Sequence, residues 1–208
     1  MQIIRKSSFR ASPWKNGGGV THEVIRVPDG SEAFRWRVSV ADIDVSGPFS
    51  EFADYRRKMV LLQGAGLRLT FDGSAHADLR DVGDMADFDG AWATRCDLTG
   101  GPCTDLNLMV SKSIRGEHAW VERVAEAKPL KRPRATMMAF PLSGAVSLED
   151  GDGAISTLQT WDFALVAPQD NVIIGPAPNV SGAPLVFFAA LDDNPKERFI
   201  RNIPWPST

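Results

Sequence analysis

The side chains best suited to chemistry in this chain are cations and amides spread over its first half. Lys15 and Asn16 follow Trp14 and stand directly ahead of three glycines, in Ser12-Pro-Trp-Lys-Asn-Gly-Gly-Gly-Val-Thr-His-Glu23. Arg37 lies in Phe34-Arg-Trp-Arg-Val-Ser-Val40, Arg56 follows Tyr55, and Asp105 and Asn107 alternate with apolar residues in Asp105-Leu-Asn-Leu-Met-Val110. Arginine grips a carboxylate through two parallel hydrogen bonds, and lysine adds a point charge. Asparagine orients an amide, a formyl group or a ring nitrogen. The combination predicts recognition of a small anion by charge and hydrogen bonding. Trp14 and Ser50 are further candidate ligand contacts, the latter in the loop Ser46-Gly-Pro-Phe-Ser-Glu-Phe52, whose two phenylalanines are suited to plug a barrel mouth. The glycine run admits positive φ and close backbone approach. Its N–H groups can form an anion-binding concavity, or the run can simply end a strand.

Catalytic chemistry finds less support. The chain has three histidines, His22, His76 and His118, and no two are spaced at i, i+2 to point the same way from a strand. His76 and Asp78 are a weak pair without visible third and fourth metal ligands. Cys96 and Cys103 form no CxxC pair. No G-x-S-x-G, P-loop or dinucleotide fingerprint is present. The expectation is a protein without metal or cofactor, and more a binder than an enzyme.

The elements that must position these residues read as strands. Short alternating or apolar runs are separated by glycine, proline and aspartate, and no long amphipathic helix with caps occurs. The 208 residues carry a net charge of −3, which disfavours non-specific nucleic-acid binding. No apolar run reaches bilayer length, and the first residues lack a secretory apolar stretch. A cytoplasmic protein with reduced thiols is expected.

The two halves echo one another. Val60-Leu-Leu-Gln-Gly-Ala-Gly-Leu-Arg-Leu69 precedes Leu79-Arg-Asp-Val-Gly-Asp84, and Ala139-Phe-Pro-Leu-Ser-Gly-Ala-Val-Ser-Leu148 precedes Leu158-Gln-Thr-Trp-Asp162. Repeated hairpins with glycine corners suit an all-β jelly roll with little helix. The proline-rich basic stretch Lys128–Arg134 marks a seam, dividing residues 1–127 from 128–208. Arg35 and Arg37 share a strand face opposite Phe34, Trp36 and Val38; that polar face meets solvent or lines a barrel.

Five ordered blocks carry a family resemblance: Pro13–Glu23, Phe34–Asp44, Ser46–Arg56, Leu61–Gly66 and Asp105–Val110. They resemble the signature of the HutD/Ves family. The resemblance implies a bicupin, two cupin-type β-barrel lobes packed as one compact unit. It also implies a cytoplasmic protein of histidine utilisation or stress response that binds a small anionic metabolite, such as urocanate or a formylated amino acid. The alternatives are a cupin-type isomerase or hydrolase, and a homodimeric interaction module.

Overall fold

A computed structural model describes residues 1–192; the end of the predicted second lobe lies outside the described residues. Three strands lead in: β1 (Gln2–Ile4), β2 (Arg10–Pro13) and β3 (Gly19–Val27). Eight follow as a first repeat: β4 (Trp36–Ile43), β5 (Gly47–Pro48), β6 (Tyr55–Gln63), β7 (Leu67–Phe71), β8 (Ala75–Leu79), β9 (Met85–Asp89), β10 (Thr94–Leu98) and β11 (Cys103–Ser111). Eight more form a second: β12 (Gly116–Arg123), β13 (Lys128–Pro129), β14 (Ala135–Ser143), β15 (Val146–Glu149), β16 (Ile155–Leu158), β17 (Phe163–Val166), β18 (Ile173–Pro176) and β19 (Leu185–Asp192). One 3-10 turn, Lys6–Ser8, is the sole helical element among the described residues.

The repeats match strand for strand. The first lobe stacks a sheet ordered β2-β3-β4-β11-β6-β9 on one ordered β5-β10-β7-β8. The second stacks β1-β17-β14-β19-β12 on β13-β18-β15-β16. Even a β-bulge recurs. Against β11 the ladder of β6 passes from Leu61 to Gln63, and against β19 that of β14 passes from Pro141 to Ser143. Each lobe is thus a two-sheet jelly roll, and its sheets stay distinct rather than closing into one continuous ladder.

The division at residue 127 is not the division in space. β12, from before that point, pairs with β19 along its whole length, and β1 pairs with β17. The reason lies in the repeat: β12 is the second lobe's counterpart of β4, so the second repeat begins at Gly116, not at the basic seam.

Three cores result. Met59, Leu61, Leu69 and Phe71 fill the first lobe, and Val146, Leu148, Ile174 and Phe188 fill the second. The largest joins the lobes: Trp36, Val38, Leu106 and Leu108 meet Phe140, Phe163 and Phe187. The strands between these cores are therefore apolar on both faces, as continuous runs such as Met59–Leu62 require.

Candidate functional site

Pairing registers place the polar residues of the first lobe. Met109 on β11 lies opposite Arg37 of β4 on one side and Arg57 of β6 on the other. Two residues along, Asn107 lies between Ser39 and Met59, and Asp105 lies between Ala41 and Leu61. Alternate residues of a strand share a face. Arg37, Arg57, Asn107 and Asp105 therefore all face the interior of the first lobe, beside its apolar core.

That interior is buried and short of hydrogen-bond partners. Arg57, Asp105 and Asn107 are 6%, 1% and 7% exposed. Among the described residues, Arg37 Nε, Arg57 Nε, Asp105 Oδ1 and Asn107 Oδ1 have no hydrogen-bond partner. Each such atom costs about 1–3 kcal/mol. The contacts the two guanidiniums do make are weak acceptors and rings. Arg57 donates to the Ser50 carbonyl at 3.4 Å and lies 5.5, 5.7 and 5.1 Å from the rings of Phe49, Phe52 and Phe88. Arg37 donates to the Met109 sulfur at 3.3 Å and lies 5.3 and 5.7 Å from Phe34 and Phe52. Burial pushes the Arg57 guanidinium down to about 10, which leaves it charged at neutral pH. Burial pushes the Asp105 carboxyl up to about 7, against the pull of Arg57. Arg37 and Arg57 thus share this face with Asp105 and, toward its edge, with the Arg26–Glu23 ion pair, whose two charges act on Arg37 in opposite directions.

The plug is as the loop composition suggests. Phe49 and Phe52 close over Arg57, and Phe34 stacks on Tyr55 with centroids 4.2 Å apart. On its outer side Phe49 meets Trp14 edge-on at 6.1 Å. Trp14, Asn16, Ser46 and Phe49 help line a hollow of about 170 Å³. Phe49 is thus common to the hollow and to the buried arginine.

The other expected site residues take different places. Lys15 is exposed at the tip of the β2–β3 turn. Arg56 sits at the opposite end of the same sheet, on the other face, where it donates to Glu117 and to the Ile114 carbonyl. Lys15 and Arg56, both candidates for anion recognition, therefore do not meet: Arg56 points to the face opposite Arg57, and the two lie at opposite strand ends. Asn16 Oδ1 accepts the Gly18 N–H at 3.0 Å, and Trp14 donates to Thr21 Oγ1 at 2.8 Å. The Gly17 N–H is used by the Trp14 carbonyl. The glycine run therefore builds a hairpin rather than an anion cradle. A Cβ on Gly19 would lie 2.2 Å from the Asp42 carbonyl, so close strand approach requires glycine there. Ser50 contributes its carbonyl, not its hydroxyl.

The donor set does not suit a divalent cation. The guanidiniums of Arg37 and Arg57 would repel it, and among the described residues Asp105 is the one fully buried carboxyl of this lobe. Among the described residues no group of three or more His, Cys, Asp or Glu side chains gathers anywhere. Asp78 is held by Arg68 at 2.6 and 2.8 Å and by Arg80 at 2.8 Å, which keeps its carboxyl well below the usual range.

The second lobe is a natural control. Aligned on the shared bulge, the counterparts of Arg37, Arg57, Asp105 and Asn107 are His118, Met137, Val186 and Phe188. The same architecture closes with an apolar interior, so the polar set of the first lobe is not a requirement of folding.

Known proteins resemble this chain over most of its length. The HutD family profile matches residues 6–179. An uncharacterized 21.2 kDa protein in the hutC 3′ region of Pseudomonas putida is 33% identical over 175 residues, 83% of this chain and 90% of that protein. The Ves protein of Escherichia fergusonii is 32% identical over 97 residues, 46% of this chain and 50% of its own length. A conserved protein of Pseudomonas aeruginosa PAO1 superposes with a TM-score of 0.82 at 28% identity, over 92% of this chain and 98% of that one. HutD of Pseudomonas fluorescens SBW25, determined in a formate condition, does so at 0.73 and 31%, over 92% and 99%. Oxalate decarboxylase of Bacillus subtilis, at 11% identity and a TM-score of 0.66, shares the cupin-type fold alone.

Proposed function

Because the chain belongs to the HutD family, we propose that its first lobe captures a small carboxylate between Arg57 and Arg37 and thereby modulates histidine or related amino-acid catabolism. One observation carries this reading: four buried polar atoms, on Arg37, Arg57, Asn107 and Asp105, lie on one sheet face without hydrogen-bond partners among the described residues. A carboxylate there takes two parallel hydrogen bonds from a guanidinium. Its second contact falls to Arg37, while Asn107 and a protonated Asp105 supply orientation. The formate condition of the Pseudomonas fluorescens relative is in keeping with an acid of this size. Formylated amino acids and urocanate present the same group. Entry requires Phe49 or Phe52 to swing aside, and the hollow beside Trp14 and Asn16 is the approach. The ligand is recognised without a metal, in a cytoplasmic setting where such acids arise.

Thermal denaturation with formate, formylglutamate, glutamate and urocanate tests this reading. A ligand that binds only the folded state at 100 times its Kd stabilises by about 2.7 kcal/mol. At least one acid is expected to raise the melting temperature of the wild type and to leave Arg57→Met unmoved. No shift by any of them at millimolar concentration contradicts the proposal.

A further inference from the structure

The second lobe's counterpart of the arginine site is buried at Met137 and Phe188 but open at its edge, where His118 is exposed. Where Arg37, Ser39 and Asn107 stand in the first lobe, the second has His118, Trp120 and Phe188. Their rings form one stack: His118 on Trp120 at 5.1 Å and 28°, Trp120 on Phe188 at 5.3 Å and 24°. Met137, at the position of Arg57, lies beside them, and together they line a groove of roughly 430 Å³. The chain that follows, Lys128–Arg132, forms the rim. Lys128 Nζ lies 5.3 Å from the Phe188 ring and the Arg132 guanidinium 5.6 Å from the Trp120 ring.

We propose that this groove binds a planar aromatic carboxylate. Its open part offers the exposed His118 ring and the half-buried Trp120 ring, whose flat faces favour a flat unsaturated ring over a puckered one. Its volume suits a molecule of one or two rings. Its rim selects charge. Lys128 is neutralised by Glu122 at 2.6 Å. Lys131 donates only to the neutral Asn171 amide at 2.9 Å, and Arg132 has no carboxylate partner among the described residues. Two cations thus stand uncompensated at the edge of an aromatic stack, where the carboxylate of a ring-stacked ligand would lie. This site does not rest on the reading of the first lobe.

Calorimetric titration of the full chain with benzoate, cyclohexanecarboxylate and benzamide tests it. Benzoate is expected to bind about fivefold or more tighter than either, since one control lacks the flat π-face and the other the charge. The double variant Lys131→Ala, Arg132→Ala, at exposed positions, is expected to weaken benzoate by about fivefold or more with its melting temperature unchanged. Arg57→Met is expected to leave benzoate affinity unchanged, which separates this groove from the first-lobe site. Benzoate binding no tighter than the controls, binding indifferent to the rim variant, or binding lost in Arg57→Met would each overturn the proposal.

Discussion

Two neighbouring arginines on β6 have opposite fates because a strand sends successive side chains to opposite faces. Arg56 ties the lobes together through Glu117, and Arg57 enters the barrel. The sequence could not tell them apart. Both faces of β6 are buried, so Met59–Leu62 shows no alternation from which to count. Arg37, Asp105 and Asn107 were legible because each alternates with apolar neighbours that mark the other face. Arg57→Met installs the second lobe's own residue, Met137. It is expected to abolish carboxylate binding while making the unliganded protein more stable by about 1–3 kcal/mol in urea unfolding, since a buried unpaired charge is removed. Asp105 gives a pH signature. Its carboxyl is raised from 3.8 to about 7 by burial, so the folded state holds a proton that the unfolded chain releases. The stability it contributes is full below about 3.8 and is lost as pH rises through about 7. Between pH 5 and 8 the wild type should lose about 2–3 kcal/mol relative to Asp105→Asn, by urea unfolding at each pH. Burial also pushes the Cys96 thiol up to about 12. It should resist a disulfide reagent in the native state and react fully once unfolded.

At the scale of elements, the hairpin echo between Val60–Leu69 and Ala139–Leu148 is real: it is β6–β7 against β14–β15. What it concealed was the start of the second repeat. Strand β12 has no sequence likeness to β4, because His118 and Trp120 replace Arg37 and Ser39 and its burial is only intermediate. The prolines of Lys128–Arg134 mark a real irregular connector, but one inside the second repeat. Strand β12 is fastened to the first lobe by charge. Glu117 Oε1 accepts from Lys58 at 3.0 Å and from Arg56, and the Lys58 and Glu117 side chains are 5% and 9% exposed. Lys58 keeps Asp87 as a second partner at 2.8 Å. Removing the charge by Glu117→Gln is therefore expected to cost about 3 kcal/mol, at the low end for a broken buried pair, measured by chemical denaturation.

At the scale of the molecule, two jelly rolls share a core and exchange an apparent boundary. Chains cut between residues 127 and 128 would strip β19 of β12 and β17 of β1. They would also expose Phe140, Phe163 and Phe187. Neither half is expected to give a dispersed NMR spectrum alone, and intact protein should unfold in a single transition by fluorescence and circular dichroism alike. The fold class could be read from strand length and glycine corners, since those are local properties. Which lobe keeps a polar interior could not, because it depends on long-range register. That asymmetry is the centre of the account: one lobe retains a charged interior that its twin shows to be dispensable for folding. Nuclear Overhauser contacts between the formate C–H proton and the protein test it most directly. The account predicts contacts to the ring protons of Phe49 and Phe52 in the wild type and none in Arg57→Met. Contacts that persist in Arg57→Met, or that fall on the Lys15 turn instead, would contradict it.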